Sequence, residues 1–348
     1  VETLSTALFV GSESHFHLWS HRSYGEYLAA EFAANARMSL EQIQSLLINH
    51  ADSEQHIAPE LRETAAWIAT IHADVFDWIL ENEPTVLLNS DSVELTDEHK
   101  AKLVSRFIKA FDAGVREDQL LAWNAYKRFS HPGLGVQLKT YLQDQSLSEP
   151  TRDFAMTIAV YCNVTSIDDV LIAIALDPNE APSLRRGALS ALSRPNHDDI
   201  DMAGLRPLVF SAKDYNVDTD LIARAMDILW PNHLTADELF SKIQLPKFDD
   251  FAIGSSYDSL IGSDLVRSLR IDDLPVALNW LIENMPDHDE EISVGGQQLI
   301  ASILSKAWDN LDIDAVRIPF ARIARRRLSR FSPIMSTPYG LLHHDNEG

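Results

Sequence analysis

Apolar residues recur at intervals of three and four along nearly the whole chain, with helix-start and helix-stop residues between the runs. This pattern constrains the fold more than any other feature, because a helix of 3.6 residues per turn puts such positions on one face. Pro59 fits a first helical turn ahead of Leu61, Ala65, Trp67, Ile68 and Ile71. Val75, Phe76, Ile79 and Leu80 form the next stripe, stopped by Pro84. Thr96 is placed to cap a helix carrying Leu103, Val104, Phe107, Ile108 and Phe111, which Gly114 would close. Capping-box pairs fall at Ser23 with Glu26, at Ser39 with Gln42, and at Thr235 with Glu238 just after the Trp230-Pro231 break. The spacing continues to Phe331, so the expected fold class is all-α.

The exception lies at the start. Ala7 to Val10, a Gly11-to-Ser14 turn and His15 to Trp19 predict a short β-hairpin. A hairpin followed by a capped helix suits the last part of a winged-helix domain. From about Ser148 the helices read as pairs, Thr151 to Asn163 with Ile167 to Leu176, and Leu221 to Leu229 with Leu239 to Leu245. The run from Pro182 to Leu192 is similar to a HEAT-type repeat helix, with Pro near its start, Arg in the first turns, then small and apolar residues. One such hairpin cannot bury its apolar face alone, so neighbours stack and expose a long surface. The expected architecture is an irregular α-solenoid of HEAT-like helical hairpins. Its parts are residues 1–37 (end of a winged-helix-like domain), 38–147 (first helical layer), 148–331 (HEAT-like repeats) and 332–348 (tail).

At 348 residues and 45% hydrophobic content, a sizeable core is within reach. Lys and Arg number 29 against 52 Asp and Glu, and a net charge of −23 argues against a general nucleic-acid or acidic-membrane partner, because phosphates are repelled on average. The single Cys162 excludes an internal disulfide; in an apolar helical run it reads as a buried structural thiol in a reducing cytoplasm. No apolar stretch approaches membrane-spanning length, and no basic-then-apolar leader opens the chain. The chain begins at Val1 rather than Met, as after processing or as a piece of something longer.

Little in the sequence points to chemistry. The phosphate-cradling pattern G-x-x-x-x-G-K-[ST] is absent, and no Gly-Lys pair occurs. Leu171 to Asp177 resembles the apolar strand and acidic residue that hold Mg²⁺ in ATPases, but without a phosphate loop it reads as a buried helix ending at Asp177-Pro178. His197-Asp198-Asp199, His288-Asp289 and His344-Asp345 would suit a helical metal-dependent phosphohydrolase. They sit beside Pro195, Pro286 and the chain end, where acidic residues more simply complement helix dipoles. His15, His17 and His21 have no Cys or carboxylate at convincing zinc-ligand spacing, and no G-x-S-x-G motif is present. No catalytic or metal-binding residue is therefore assigned. Arg322, Arg325, Arg326, Arg327 and Arg330 form a basic face near a helix end. It either complements the dipole and the chain's own carboxylates or docks an acidic or nucleic-acid partner.

One segment carries a resemblance. His21-Arg22-Ser23-Tyr24-Gly25-Glu26-Tyr27-Leu28-Ala29-Ala30 resembles the F-x-H-x-[ST]-F-Q-E-[YF]-x-A-A signature of NACHT-type STAND ATPases, the switch ATPases that include NOD-like receptors and bacterial anti-phage relatives. It departs at Trp19, where Phe is commoner, and at Gly25, where Gln is usual. Trp67-Ile68-Ala69, Asp74-Val75-Phe76, Glu83-Pro84, Leu87-Leu88, Ser90-Asp91, Leu229 to Leu234 and Ile253 to Tyr257 are similar to later phrases of bacterial members. The resemblance implies a non-catalytic sensor region, with ATP or ADP and Mg²⁺ bound by an upstream module outside this chain. It gives His21 the role of reaching the nucleotide's β-phosphate in the full-length protein, and makes Tyr24, Tyr27 and Leu28 packing residues. The implied partners are a protein target and the chain's own upstream ATPase module. The isolated chain is expected to be monomeric, and the full-length protein to oligomerise on activation. The alternatives are a stand-alone HEAT-like scaffold and the metal-dependent phosphohydrolase.

Overall fold

The computed structural model describes residues 9–11, 17–53, 55–90, 94–115, 124–194, 201–211, 218–246, 256–286 and 291–329. The chain divides into two compact units, Val1–Ile167 and Asp168–Gly348, and both are mostly helical.

In the first unit, β1 (Phe9–Gly11) and β2 (His17–Trp19) pair antiparallel with Val10 opposite Leu18. Then come α1 (Arg22–Asn35), α2 (Leu40–Leu47), a 3₁₀ turn at Pro59–Leu61, α3 (Arg62–Ile71), α4 (Ala73–Asn82), α5 (Pro84–Asn89) and α6 (Asp97–Asp112). A second 3₁₀ turn, Ala125–Phe129, leads to α7 (Leu134–Gln143) and α8 (Glu149–Tyr161). Helix α1 packs on α3 through small residues, Ala30 and Ala33 on one side and Ala65, Ala66 and Ala69 on the other, all buried. Tyr27 of α1 also meets Trp67 of α3 edge-on, centroids 5.3 Å apart.

Most of the sequence punctuation works as read. Ser39 and Gln42 form the reciprocal capping box, and Thr96 accepts from the His99 amide. Gly114 ends α6 at a φ of +82°, where a side chain would be strained. The Ser23–Glu26 box does not form. Helix α1 begins earlier, with His21 as an extended N-cap that makes no side-chain cap, so Ser23 already lies inside the helix. Glu26 turns instead to Arg22, Oε1 to Nε 2.8 Å, an i,i+4 pair on the helix surface.

The second unit holds α9 (Asp168–Leu176), α10 (Pro182–Leu192), a 3₁₀ turn at Met202–Leu205, α11 (Arg206–Phe210), α12 (Thr219–Leu229) and α13 (Ala236–Phe240). Helices α14 (Ser256–Ser259) and α15 (Leu265–Arg267) flank a π-helical turn, Leu260–Asp264. The unit closes with α16 (Leu274–Asn284), α17 (Val294–Trp308) and α18 (Asp314–Ser329). The Thr235–Glu238 capping box forms as read. The apolar run that mimics an ATPase strand is helix α9, and the Asp177 carboxylate after it accepts from the Asn179 amide at 2.9 Å.

Helix pairing differs from the sequence expectation by one helix. The helix beginning near Thr151 partners α7, and α9 partners α10. Likewise α12 packs on α10 and α11, while α13 packs on α16. Apolar periodicity identifies a helix's buried face but not which neighbour covers it.

Correct pairing exposes a correspondence between the hairpins α7–α8 and α9–α10. The same offset carries Leu134, Leu138 and Leu142 onto Ile167, Leu171 and Ala175, and Ala155, Met156, Ile158 and Ala159 onto Ala188, Leu189, Ala191 and Leu192; all are buried. It also carries Arg152 onto Arg185. Arg152 Nε donates to the Leu142 carbonyl at 3.0 Å, and Arg185 Nε donates to the Ala175 carbonyl at 3.0 Å. The last carbonyls of a helix have no partner within it, so each guanidinium satisfies a helix end while complementing its dipole. Each turn carries the same carboxylate device: Asp144 accepts from the Ser146 amide as Asp177 does from that of Asn179, both at 2.9 Å.

Candidate functional site

The site indicated by the sequence is the start of α1. Ser20 and His21 turn the chain out of β2, leaving His21 exposed at the mouth of a cleft of about 410 Å³. The cleft is lined from α1 by His21, Arg22, Ser23 and Glu26, and from beyond it by Arg62, Glu63, Thr85 and Asn89 among others. His21 Nδ1 and Ser23 Oγ share a hydrogen bond of 2.6 Å, and Tyr24 sits edge-on to the imidazole, centroids 6.2 Å apart. With the hydroxyl donating to Nδ1, the neutral ring carries its proton on Nε2 and can donate from that side.

The charges around the cleft are already matched. Arg22 bonds Glu26 and the Glu60 carbonyl. Arg62 lies 3.6 Å from Glu83, and Ser90 Oγ donates to Glu63 at 2.7 Å. The cleft is therefore not a strongly cationic pocket. An exposed imidazole and the start of α1 face it beside the Glu26 and Glu63 carboxylates. No carboxylate orients His21 among the described residues, so the Ser23–His21 contact lacks the third member that activates a nucleophile.

Trp19 and Gly25 lie against each other. A Cβ at Gly25 would stand 2.7 Å from Trp19 Nε1. The bulky indole at 19 thus occupies the space that a longer side chain at 25 would need.

Tyr24, Tyr27 and Leu28, expected to pack, are exposed instead. Tyr24 and Leu28 are 44% exposed and Phe32 is 69% exposed, giving an apolar stripe at four-residue spacing. The alanine face of α1 makes the α3 contact and turns this stripe outward. Tyr27 lies between the two faces, edge-on to Trp67 with its hydroxyl donating to Glu31 at 2.9 Å.

The five-arginine cluster does not act as one face. Arg327 is 4% exposed, with Nε 3.4 Å from Met285 Sδ. Arg326 donates to the Ile282 and Met285 carbonyls, both at 3.1 Å, holding the end of α16. Arg322 and Arg325 are exposed, and Arg330 lies outside the described residues. The sequence contained a signal for Arg327, which continues the buried stripe Val316, Phe320, Ile323 at helical spacing.

Cys162 is half-buried, its thiol donating to the Tyr126 carbonyl at 3.2 Å; burial pushes its pKa up to about 12, an inert thiol at neutral pH. Among the described residues no group of three or more His, Cys, Asp or Glu is placed to hold a metal ion. His15, His197, Asp198, Asp199, His288, Asp289, His344 and Asp345 lie outside those residues, as do Ile253 to Ser255 of the later family-like phrase. No described helix is long and apolar enough to cross a membrane.

The chain matches no family model, no curated protein and no solved structure.

Proposed function

We propose that the chain is a non-catalytic sensor and regulatory region of a bacterial NACHT-type switch ATPase, of the kind used in anti-phage defence. In this reading β1, β2 and α1 end a winged-helix domain, and the nucleotide module with its ATP or ADP and Mg²⁺ lies upstream on the same polypeptide. The helices of residues 148–331 would be HEAT-like repeats that bind a protein target. Differential contacts with that target then shift the balance between closed and open states.

The observation that carries this reading is on α1. His21 opens into a cleft suited to a single anionic contact, and the same helix presents Tyr24, Leu28 and Phe32 to solvent. An adjoining winged-helix body would cover that stripe, and a bound nucleotide would supply the anion. The compensating pair Trp19 and Gly25 supports treating the segment as a true, if divergent, signature. The matched Arg152 and Arg185 contacts support the repeat reading of the hairpins.

The reading frame tests the proposal. A phosphate loop encoded upstream in the same frame is expected, and a frame that opens at Val1 without one overturns the switch and leaves a plain helical scaffold. The purified chain should turn over no ATP; turnover that survives repurification would contradict its non-catalytic assignment.

A further inference from the structure

His99 stands in the first turn of α6, its amide donating to the Thr96 hydroxyl that caps the helix. Its ring stacks on Phe76 of α4, centroids 3.9 Å apart and planes 18° apart. Its Nδ1 is buried with no hydrogen-bond partner among the described residues. A neutral ring tolerates this position, because it can keep its proton on Nε2 and bury a bare nitrogen. A charged ring does not: both nitrogens then carry protons, and one charged N–H is buried without an acceptor.

We propose that the α4–α6 contact is an acid-sensitive latch, closed while the His99 imidazole is neutral and loosened when the ring takes up a proton. The groups around the ring set the direction. Burial acts most strongly and disfavours the charged form, and the Lys102 ammonium adds repulsion. The carboxylates of Glu98 and of Asp77 on α4 oppose this shift, but both also lie against Lys102, at 3.4 and 3.6 Å. Phe76 would attract a cation over its face, yet Lys102 Nζ already stands 6.0 Å from the same ring centroid. The result holds the His99 pKa below the ordinary imidazole value. The unfolded chain therefore takes the proton first. The latch contributes stability above about pH 6.5 that is lost as pH falls through the folded value. A second histidine lies on the α4 side: His72, the N-cap of α4 one turn before Phe76, has a buried Nε2 with no partner among the described residues. The inference does not depend on the switch-ATPase reading.

The test follows the imidazole C2 protons of the full chain by NMR from about pH 8 to about pH 5, with hydrogen-exchange protection of α4 and α6 over the same range. The His99 signal, assigned by its loss in His99→Phe, should titrate below an ordinary histidine. Protection at the start of α6 should fall as that signal titrates. His99→Phe keeps an aromatic stack and removes the proton, so it should hold its protection across the range. If that variant fails to fold, Lys102→Gln serves instead: it should raise the His99 midpoint and shrink the loss of protection. An ordinary or raised His99 midpoint in the unsubstituted chain would overturn the proposal. An equal loss of protection in His99→Phe would also overturn it and pass the effect to His72 or to the carboxylates.

Discussion

The hairpins α7–α8 and α9–α10 use one device in two settings. In both, an Arg in the first turns of the second helix reaches back to the last carbonyls of the first. Around Arg152 the helix start has further support: Ser148 accepts from the Thr151 amide, and Thr151 Oγ1 donates to Asp112 at 3.0 Å. Helix α10 starts at Pro182 behind Ala181, which supplies no side-chain cap. Arg185 is also the deeper of the two, 1% exposed against 6% for Arg152. Burial pushes its pKa down, and nearby Asp218 and Asp177 oppose that shift. The less a helix start is supported by its own caps, the more its hairpin depends on the guanidinium.

This difference orders the expected effects. Arg185→Ala removes a charge-assisted hydrogen bond and leaves a cavity, a loss of roughly 2–4 kcal/mol. Arg152→Ala should cost about 1–2 kcal/mol, because the Ser148 and Thr151 bonds remain. Hydrogen exchange read by segment separates them: the first variant should expose amides of α9 and α10, the second those of α7 and α8. Equal losses, or a greater loss for Arg152→Ala, would break the comparison.

A second pair sharpens the reading of α1. Gly25→Gln should destabilise the protein by about 1 kcal/mol through overpacking against Trp19. In a Trp19→Phe background the same change should be neutral or stabilising, since it removes a helical glycine. Denaturant melts of the four proteins give the coupling; strictly additive effects would show that the two positions do not compensate.

The smallest effects are titrations. Hydrogen bonds from Arg206 and then the Thr235 amide hold the Glu238 carboxyl down at about 2. A folded pKa below the ordinary value contributes stability above about 4.5 that is lost as pH falls toward 2. The Asp144 carboxyl is lowered first by the Ser146 hydroxyl and then by its amide, so its contribution to the first hairpin also fades as pH falls. Carboxyl NMR titration should place Glu238 well below an ordinary glutamate, and a normal midpoint would remove the clamp with Arg206.

The helices and most of their ends were legible because caps and apolar stripes are local. Ser39, Thr96, Gly114 and Thr235 each do what their neighbours in sequence require. Ser23 failed because the strand before α1 sets where the helix starts, and a capping motif cannot report that. The repeat was hidden because its apolar positions exchange Leu for Ala and Ile for Ala, leaving only Asp and Arg in register as its markers. At the candidate site the sequence singled out His21, but not the cleft beside it, whose far side comes from α3 and α5.

In the proposed switch, His21 would serve a nucleotide held by the rest of a larger protein. The most direct measurement is the bound ADP in the protein expressed from the whole reading frame, with His21 intact and with His21→Ala. Near-stoichiometric ADP is expected in the first and a marked loss in the second, with folding unchanged. Equal ADP content in the two proteins would contradict it.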